Sequence, residues 1–217
     1  MASGTKGNCY LCGAELGKTA MKNHLLKAHG QAKDDQECYF LKIEGAYNKD
    51  YWLFVDVPLD KPLSGVDSFL RKIWLECCGH LSKFSGSGYG EVGKGRKLQV
   101  FSIGDTLLHE YDFGTTTETI ITIVGQTTRK KQRETVRLLA RNAPPTFACA
   151  VCGNPAAYIC TECMYDSDNP FYCEECGEKH DHDDMLLPVT NSPRIGECGY
   201  EGVLDVFAFD SAKLASE

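Results

Sequence analysis

Residues 38–58, CYFLKIEGAYNKDYWLFVDVP, place two runs rich in aromatic and β-branched side chains on either side of a turn at Tyr47-Asn48-Lys49-Asp50. Such side chains suit a pleated, half-buried surface, so the segment predicts a β-hairpin. Pro58 and Pro62 then interrupt the chain. From Val66, apolar residues fall at 66, 69, 70, 73, 74 and 77, the period of an amphipathic helix. Ser64 is placed to cap its start and Gly79 to stop it. KLQVFSIGD at 97–105 and TTETIITIVGQ at 116–126 read as strands, and ETVRLLARN at 134–142 reads as a strand pairing with the latter across the RKKQRE turn. Two hairpins and a helix in this order predict an α+β domain over 38–142, a mostly antiparallel sheet with a packed helix.

The flanks follow a different logic, set by cysteine and histidine. CYLCGAELGKTAMKNHLLKAHG spaces Cys9, Cys12, His24 and His29 as C-x2-C-x11-H-x4-H. A CxxC turn supplies two thiolates, and a helix presents two imidazoles about one turn apart, completing a tetrahedron. The spacing resembles a C2H2 zinc finger, with Leu16 and Met21 at its small apolar core. About 25 residues bury too little surface to fold alone, so zinc would supply the folding energy. If the finger read DNA, Gly17, Ala20 and Asn23 would take the base-reading positions, and only Asn23 offers a specific base contact.

The second array lies at 149–182, as C149-x2-C152-x7-C160-x2-C163-x9-C173-x2-C176-x3-H180-x-H182. Eight donors exceed the four that one structural zinc accepts, so two ions are expected. Neighbouring pairs close two sites in sequence, or they interleave: Cys149 and Cys152 with Cys173 and Cys176, Cys160 and Cys163 with His180 and His182. Asp181, Asp183 and Asp184 are alternatives to His182 as the eighth donor. The spacing, the closing histidines and the following apolar MLLPV resemble a B-box, and that resemblance implies the interleaved order. About three structural zinc ions per chain are thus expected, with four donors for each and no open position for substrate. Cys38 and Cys198 fall outside these sets and read as ordinary thiols, Cys198 near the second module.

Within the central domain, YFLKIEGA, YWLFVDVP, WLECCGHLSKF and YDFG resemble the plasmid Ri ORF-3-like family, of the insertion-element passenger type. The marks are His80-Leu81 with Phe84, and Tyr111-Asp112-Phe113-Gly114. Many members follow YDFG with Asp, Trp and His at alternate positions, where this chain has Thr115, Thr117 and Thr119. The resemblance carries no established reaction. Cys77, on the apolar helix face, reads as core filler. Cys78, His80 and Asp112 are the candidates for a reactive site, and a structural role is the expected one. Gly88 to Lys94 spells GxxxxGK, but Gly95 stands where a phosphate loop needs Ser or Thr, and a strand-like run follows, so the stretch is expected to be a flexible loop without nucleotide.

Charge divides the chain. The formal charge of -7 combines +4 over 1–33, -5 over 34–128, +5 over 129–141 and -11 over 142–217. An acidic C-terminal region repels phosphate, while the two basic islands could touch it locally. MASGTKGNCY has no apolar run and the longest apolar stretches are strand-length, so neither a signal peptide nor a membrane helix is expected. Twelve cysteines without an export signal predict reduced thiols and a cytoplasmic protein. The predicted organisation is a C2H2-like finger at 1–33, the α+β domain at 38–142, a B-box-like double-zinc module at 146–200 and a tail at 201–217. The function expected is non-enzymatic recognition of a protein partner. A nucleic-acid-associated factor is the alternative, and an enzyme using Cys78, His80 and Asp112 the second.

Overall fold

The structure, a computed structural model, describes residues 5–30, 36–203 and 207–216. Lys33 of the N-terminal basic island and residues 204–206 and 217 of the tail lie outside the described residues. The fold is α+β and mostly antiparallel. Its larger sheet draws on β1 (Lys6–Cys9), β2 (Glu15–Gly17), β3 (Gln36–Gly45), β4 (Trp52–Pro58), β5 (Ser82–Gly86), β6 (Gly90–Val92), β7 (Thr106–Tyr111), β8 (Thr117–Arg129) and β9 (Arg137–Asn142). Their spatial order is β2-β1-β9-β4-β3-β8-β7-β5-β6. A smaller sheet pairs β10 (Tyr158–Cys160) with β11 (Phe171–Tyr172) and β12 (Leu186–Pro188).

The predicted hairpin is β3–β4, and every residue of β4 is buried. Both faces of the sheet are covered at that point, so the strand reads as a continuous apolar run rather than an alternation. On one face Leu41, Ile43, Leu53, Val55 and Val57 pack against α2 (Leu63–Leu70). On the other, Phe40, Trp52 and Phe54 pack against Met21 and Leu25, from α1 (Lys18–His24) and the π-helical turn that continues it. The N-terminal CxxC hairpin therefore belongs to the sheet, since β1 pairs antiparallel with β9 from Gly7↔Asn142 to Cys9↔Ala140. Gly7 permits the approach: a Cβ there would lie 2.1 Å from the Arg141 carbonyl oxygen and 2.7 Å from the Trp52 ring.

Four local expectations are corrected. The segment 97–105 is not a strand: Leu98–Val100 forms a 3-10 turn whose Leu98 and Phe101 enter the core while Val100 and Ile103 face solvent. Its neighbours, the Lys61 and Leu59 carbonyls, accept from Leu98 and Gln99 as a loop would rather than a ladder. The strand comes later, as β7. Segment 134–142 does not pair with β8, because the β3–β4 hairpin lies between them and β9 takes β4 and β1 as partners. A buried carboxylate secures that order. Asp56 accepts from Arg129 Nη1 at 2.7 Å and from Arg137 Nε at 2.9 Å, joining β4, β8 and β9. The glycine-rich stretch contains β6, paired with β5, and Lys94 reaches Asp67 at 3.1 Å and Ser82 at 2.6 Å. Finally, the helix begins at Leu63 with Pro62, not Ser64, at its cap, and ends after a π-helical turn at Arg71–Leu75. Glu76 is extended, so Cys77 and Cys78 lie in a loop. Among the described residues no helix is long and apolar enough to cross a membrane.

Candidate metal centres

Cys9 ends β1, Cys12 sits in the turn to β2, and His24 and His29 lie along the 18–29 helix. Gly13, at φ +78°, closes the turn by donating its N–H to the Cys9 carbonyl at 2.8 Å. A tetrahedral ion with bonds of about 2.3 Å to sulfur and 2.0–2.1 Å to nitrogen sets its donors roughly 3.3–3.8 Å apart. Here Cys9 Sγ is 3.7 Å from His29 Nε2 and Cys12 Sγ is 3.2 Å from His24 Nε2. All four donor atoms lie within 4.8 Å of one another, as a shared ion requires. Helix residues Ala20 and Asn23, two of the would-be base-reading positions, are exposed, and Gly17 is the helix cap.

In the C-terminal module the pairs come together in the interleaved order. Cys149, Cys152, Cys173 and Cys176 form one cluster; Cys160, Cys163, His180 and His182 form the other, each within 4.8 Å. The first turn repeats the N-terminal geometry, with Gly153 at φ +75° donating to the Cys149 carbonyl at 3.0 Å. Cys173 follows β11 and precedes α4 (Glu174–Gly177), in which Cys176 sits. Burial opposes ionisation of Cys149, yet hydrogen bonds from the Cys173, Cys152 and Val151 backbones outweigh it and lower its pKa to about 6. Cys176 is pushed up to about 12, first by its hydrogen bond to Cys173 and then by burial. Four thiols so close cannot all ionise alone; a divalent cation bound there would supply the missing charge. In the second cluster, Cys160 ends β10, Cys163 opens α3 (Cys163–Asp166), and His180 Nε2 lies 3.2 Å from Cys163 Sγ. His182, through Nδ1 at 3.7 Å from that sulfur, fills the eighth position rather than a neighbouring aspartate.

A fourth cluster joins Cys77, Cys78, His80 and Cys198. Cys77 packs against the core as expected, but from a loop rather than the helix and as a member of this cluster, and Cys198 lies against the 76–80 loop rather than beside the C-terminal clusters. Distance along the chain, about 120 residues, hid the partnership from sequence reading. One signal was available: all five Cys-Gly dipeptides of the chain, at Cys12, Cys78, Cys152, Cys176 and Cys198, belong to these four clusters.

The basic island at 129–141 is partly consumed by the fold. Arg129 and Arg137 hold Asp56, and Arg141 donates to the Asn191 carbonyl at 2.9 Å. Lys130, Lys131 and Arg133 are exposed.

No protein-family model and no curated protein matches the chain. Among solved structures it is similar to a protein of unknown function, MM3350 from Methanosarcina mazei Go1, at 18% identity, over 51% of this chain and 72% of that chain, with a TM-score of 0.43.

Proposed function

We propose that this is a cytoplasmic, non-enzymatic zinc protein whose C-terminal module binds a basic segment of a protein partner, and whose central domain is of the ORF-3-like kind. The observation that carries the reading is the pair of interleaved clusters at 149–182, each closed by four donors. Thiolate-rich, fully occupied coordination suits zinc and leaves no position for a substrate, which supports a structural role for the ions. Around them the surface is acidic: Glu162, Asp166, Asp168, Glu174, Glu175, Glu178, Asp181, Asp183 and Asp184 are exposed. Tyr165 and Val151 add exposed apolar area, at 73% and 71%. Acidic groups interspersed with apolar side chains complement a segment rich in Lys and Arg.

Elemental analysis of the purified chain is expected to find at least three zinc ions; one or none overturns the reading. Arrays of lysine- and arginine-rich peptides are expected to bind the zinc-loaded chain with strong salt dependence, and uniformly silent arrays would discard the partner assignment. The nucleic-acid alternative rests on Lys130, Lys131, Arg133 and the lysines of α1. Fluorescence anisotropy with DNA and RNA over a salt series decides it, since steep salt dependence would count phosphate contacts.

A further inference from the structure

We propose that Cys77, Cys78, His80 and Cys198 hold a fourth zinc ion, and that this ion clasps the chain around Cys198 onto the central domain. The proposal rests on the reading of the chain as a zinc protein but concerns residues outside its three quartets.

The donor atoms have coordination spacing. Cys78 Sγ lies 3.6 Å from Cys77 Sγ and 3.9 Å from Cys198 Sγ; His80 Nε2 lies 2.9 Å from Cys78 Sγ and 3.2 Å from Cys198 Sγ. These separations approach the edges of a metal tetrahedron, roughly 3.3–3.8 Å, and are far from a disulfide bond of about 2.05 Å. They match the His24 and His180 contacts in the other clusters, both at 3.2 Å.

Backbone strain converges on the same place. Among the described residues, the non-glycine residues at positive φ are Asp112, at 66°, and Cys198, at 50°. Both belong here, for Asp112 Oδ2 is 3.3 Å from His80 Nε2. Such conformations are strained and persist where surrounding structure over-determines them. Gly79, at φ +81°, reverses the loop so that Cys78 and His80 converge. The charge also fits. Arg194, fully buried, lies 3.4 Å from Cys77 Sγ and 2.7 Å from Asp112 Oδ2, offering a cation to a thiolate-rich centre and neutralising the nearby carboxylate.

The competing reading of these groups is a cysteine nucleophile activated by His80 and Asp112. A relay needs the acid on one ring nitrogen and the nucleophile on the other. Here Cys78, Cys198 and Asp112 all face Nε2. With all three on one ring nitrogen no relay can run through the ring, and Nε2 with the three sulfurs has the spacing of donors around one ion.

The consequence is a tether. Ser192 Oγ already donates to the Trp74 carbonyl at 2.6 Å, and Arg194 Nη1 to Thr117 Oγ1 at 3.0 Å, so the segment is docked before Cys198 is reached. An ion shared by 77–80 and 198 locks that docking. Donor identity makes the site separable: one S3N set stands beside one S4 and two S2N2 sets.

Native mass spectrometry of the full, reduced, zinc-loaded chain is expected to count four ions, and C198A and H80Q each to hold one fewer than wild type. Equal counts in wild type and both variants would overturn the fourth site while leaving the other three untouched. A wild-type count below three would instead defeat the reading proposed above. Because misfolding of a variant also releases ions, cadmium-113 NMR of the wild type gives a second readout. An S3N resonance that vanishes in H80Q, with the S4 and S2N2 resonances retained, supports the clasp; a spectrum of only S4 and S2N2 resonances overturns it.

Discussion

The N-terminal and C-terminal cysteine–histidine clusters share donor types and the same CxxC turn, yet they stand on different supports. Around Cys9 the buried neighbours are Met21, Leu25, Phe40, Trp52, Phe54, Leu139 and Ala140, and β1 is hydrogen-bonded into the larger sheet. In the C-terminal module between residues 146 and 189, the buried apolar side chains are Cys149, Ile159, Cys160, Tyr172 and Cys173, so most are themselves donors. The first cluster decorates a core; in the second the ligands are most of the core. The difference teaches that equal coordination does not mean equal dependence on the ion.

Metal removal should expose this contrast most strongly. Cys160→Ser, or a strong chelator, is expected to unfold the C-terminal module, because zinc binding at such sites is worth about 10–16 kcal/mol of folding free energy. Limited proteolysis should then cut rapidly after residue 142, while amides of β1 and β9 stay protected from hydrogen exchange. Unchanged protease resistance would mean the module has a core of its own.

The sheet is expected to fail by another route. Asp56→Ala leaves Arg129 buried without its carboxylate, and removing one partner of a buried pair costs about 3–5 kcal/mol. Because Asp56 joins β4, β8 and β9, denaturant melts should show β1 loosening along with them. A loss confined to the 129–137 turn would separate β1 from the sheet's stability. A milder probe is Met21→Ala, expected to cost about 2–5 kcal/mol through the cavity it leaves. That cost should persist in chelator, which is the signature of a packing role; a cost seen only with metal bound would move the N-terminal cluster into the same class as the C-terminal ones.

The gentlest probe is acid. His109 is buried, donates its Nε2–H to Asp67 Oδ1 at 2.9 Å, and has its pKa lowered below 6.5 first by burial, with Asp67 acting against that. The unfolded chain therefore takes up the proton first, so stability is full above about 6.5 and declines as pH falls towards the lowered folded value. Asp67 is held below the ordinary carboxylate range: burial opposes this, and His109, Ser82 and Lys94 overcome it. Its contribution is present above 3.8 and goes at still lower pH. A central domain whose midpoint denaturant concentration is flat between pH 7 and 5 would contradict the His109 assignment.

Much of the layout was legible because it is local. The β-rich runs of residues 38–58 and the period of 3.6 from Val66 arise within single elements, as does the spacing of each CxxC turn. The partner of β9 was not legible: TTETIITIVGQ and ETVRLLARN look like a hairpin, and only the buried Asp56–Arg129–Arg137 contacts show why another hairpin comes between them. The helix stop was misplaced for a related reason. Apolar spacing continues through Cys77, but Glu76 turns extended and donates the loop to a different purpose, with its carboxylate accepting from Gly79 N at 2.6 Å.

By itself, then, the sequence determined an α+β domain with a mostly antiparallel sheet, the N-terminal donor quartet and the three CxxC pairs of the C-terminal array, because hydrophobic period and ligand spacing act over a few residues. Tertiary structure decided that α1 covers one face of the sheet, that the C-terminal pairs interleave, and that Cys198 returns to Cys77, Cys78 and His80. Each of those depends on which distant surfaces bury one another, and no spacing along the chain carries that information.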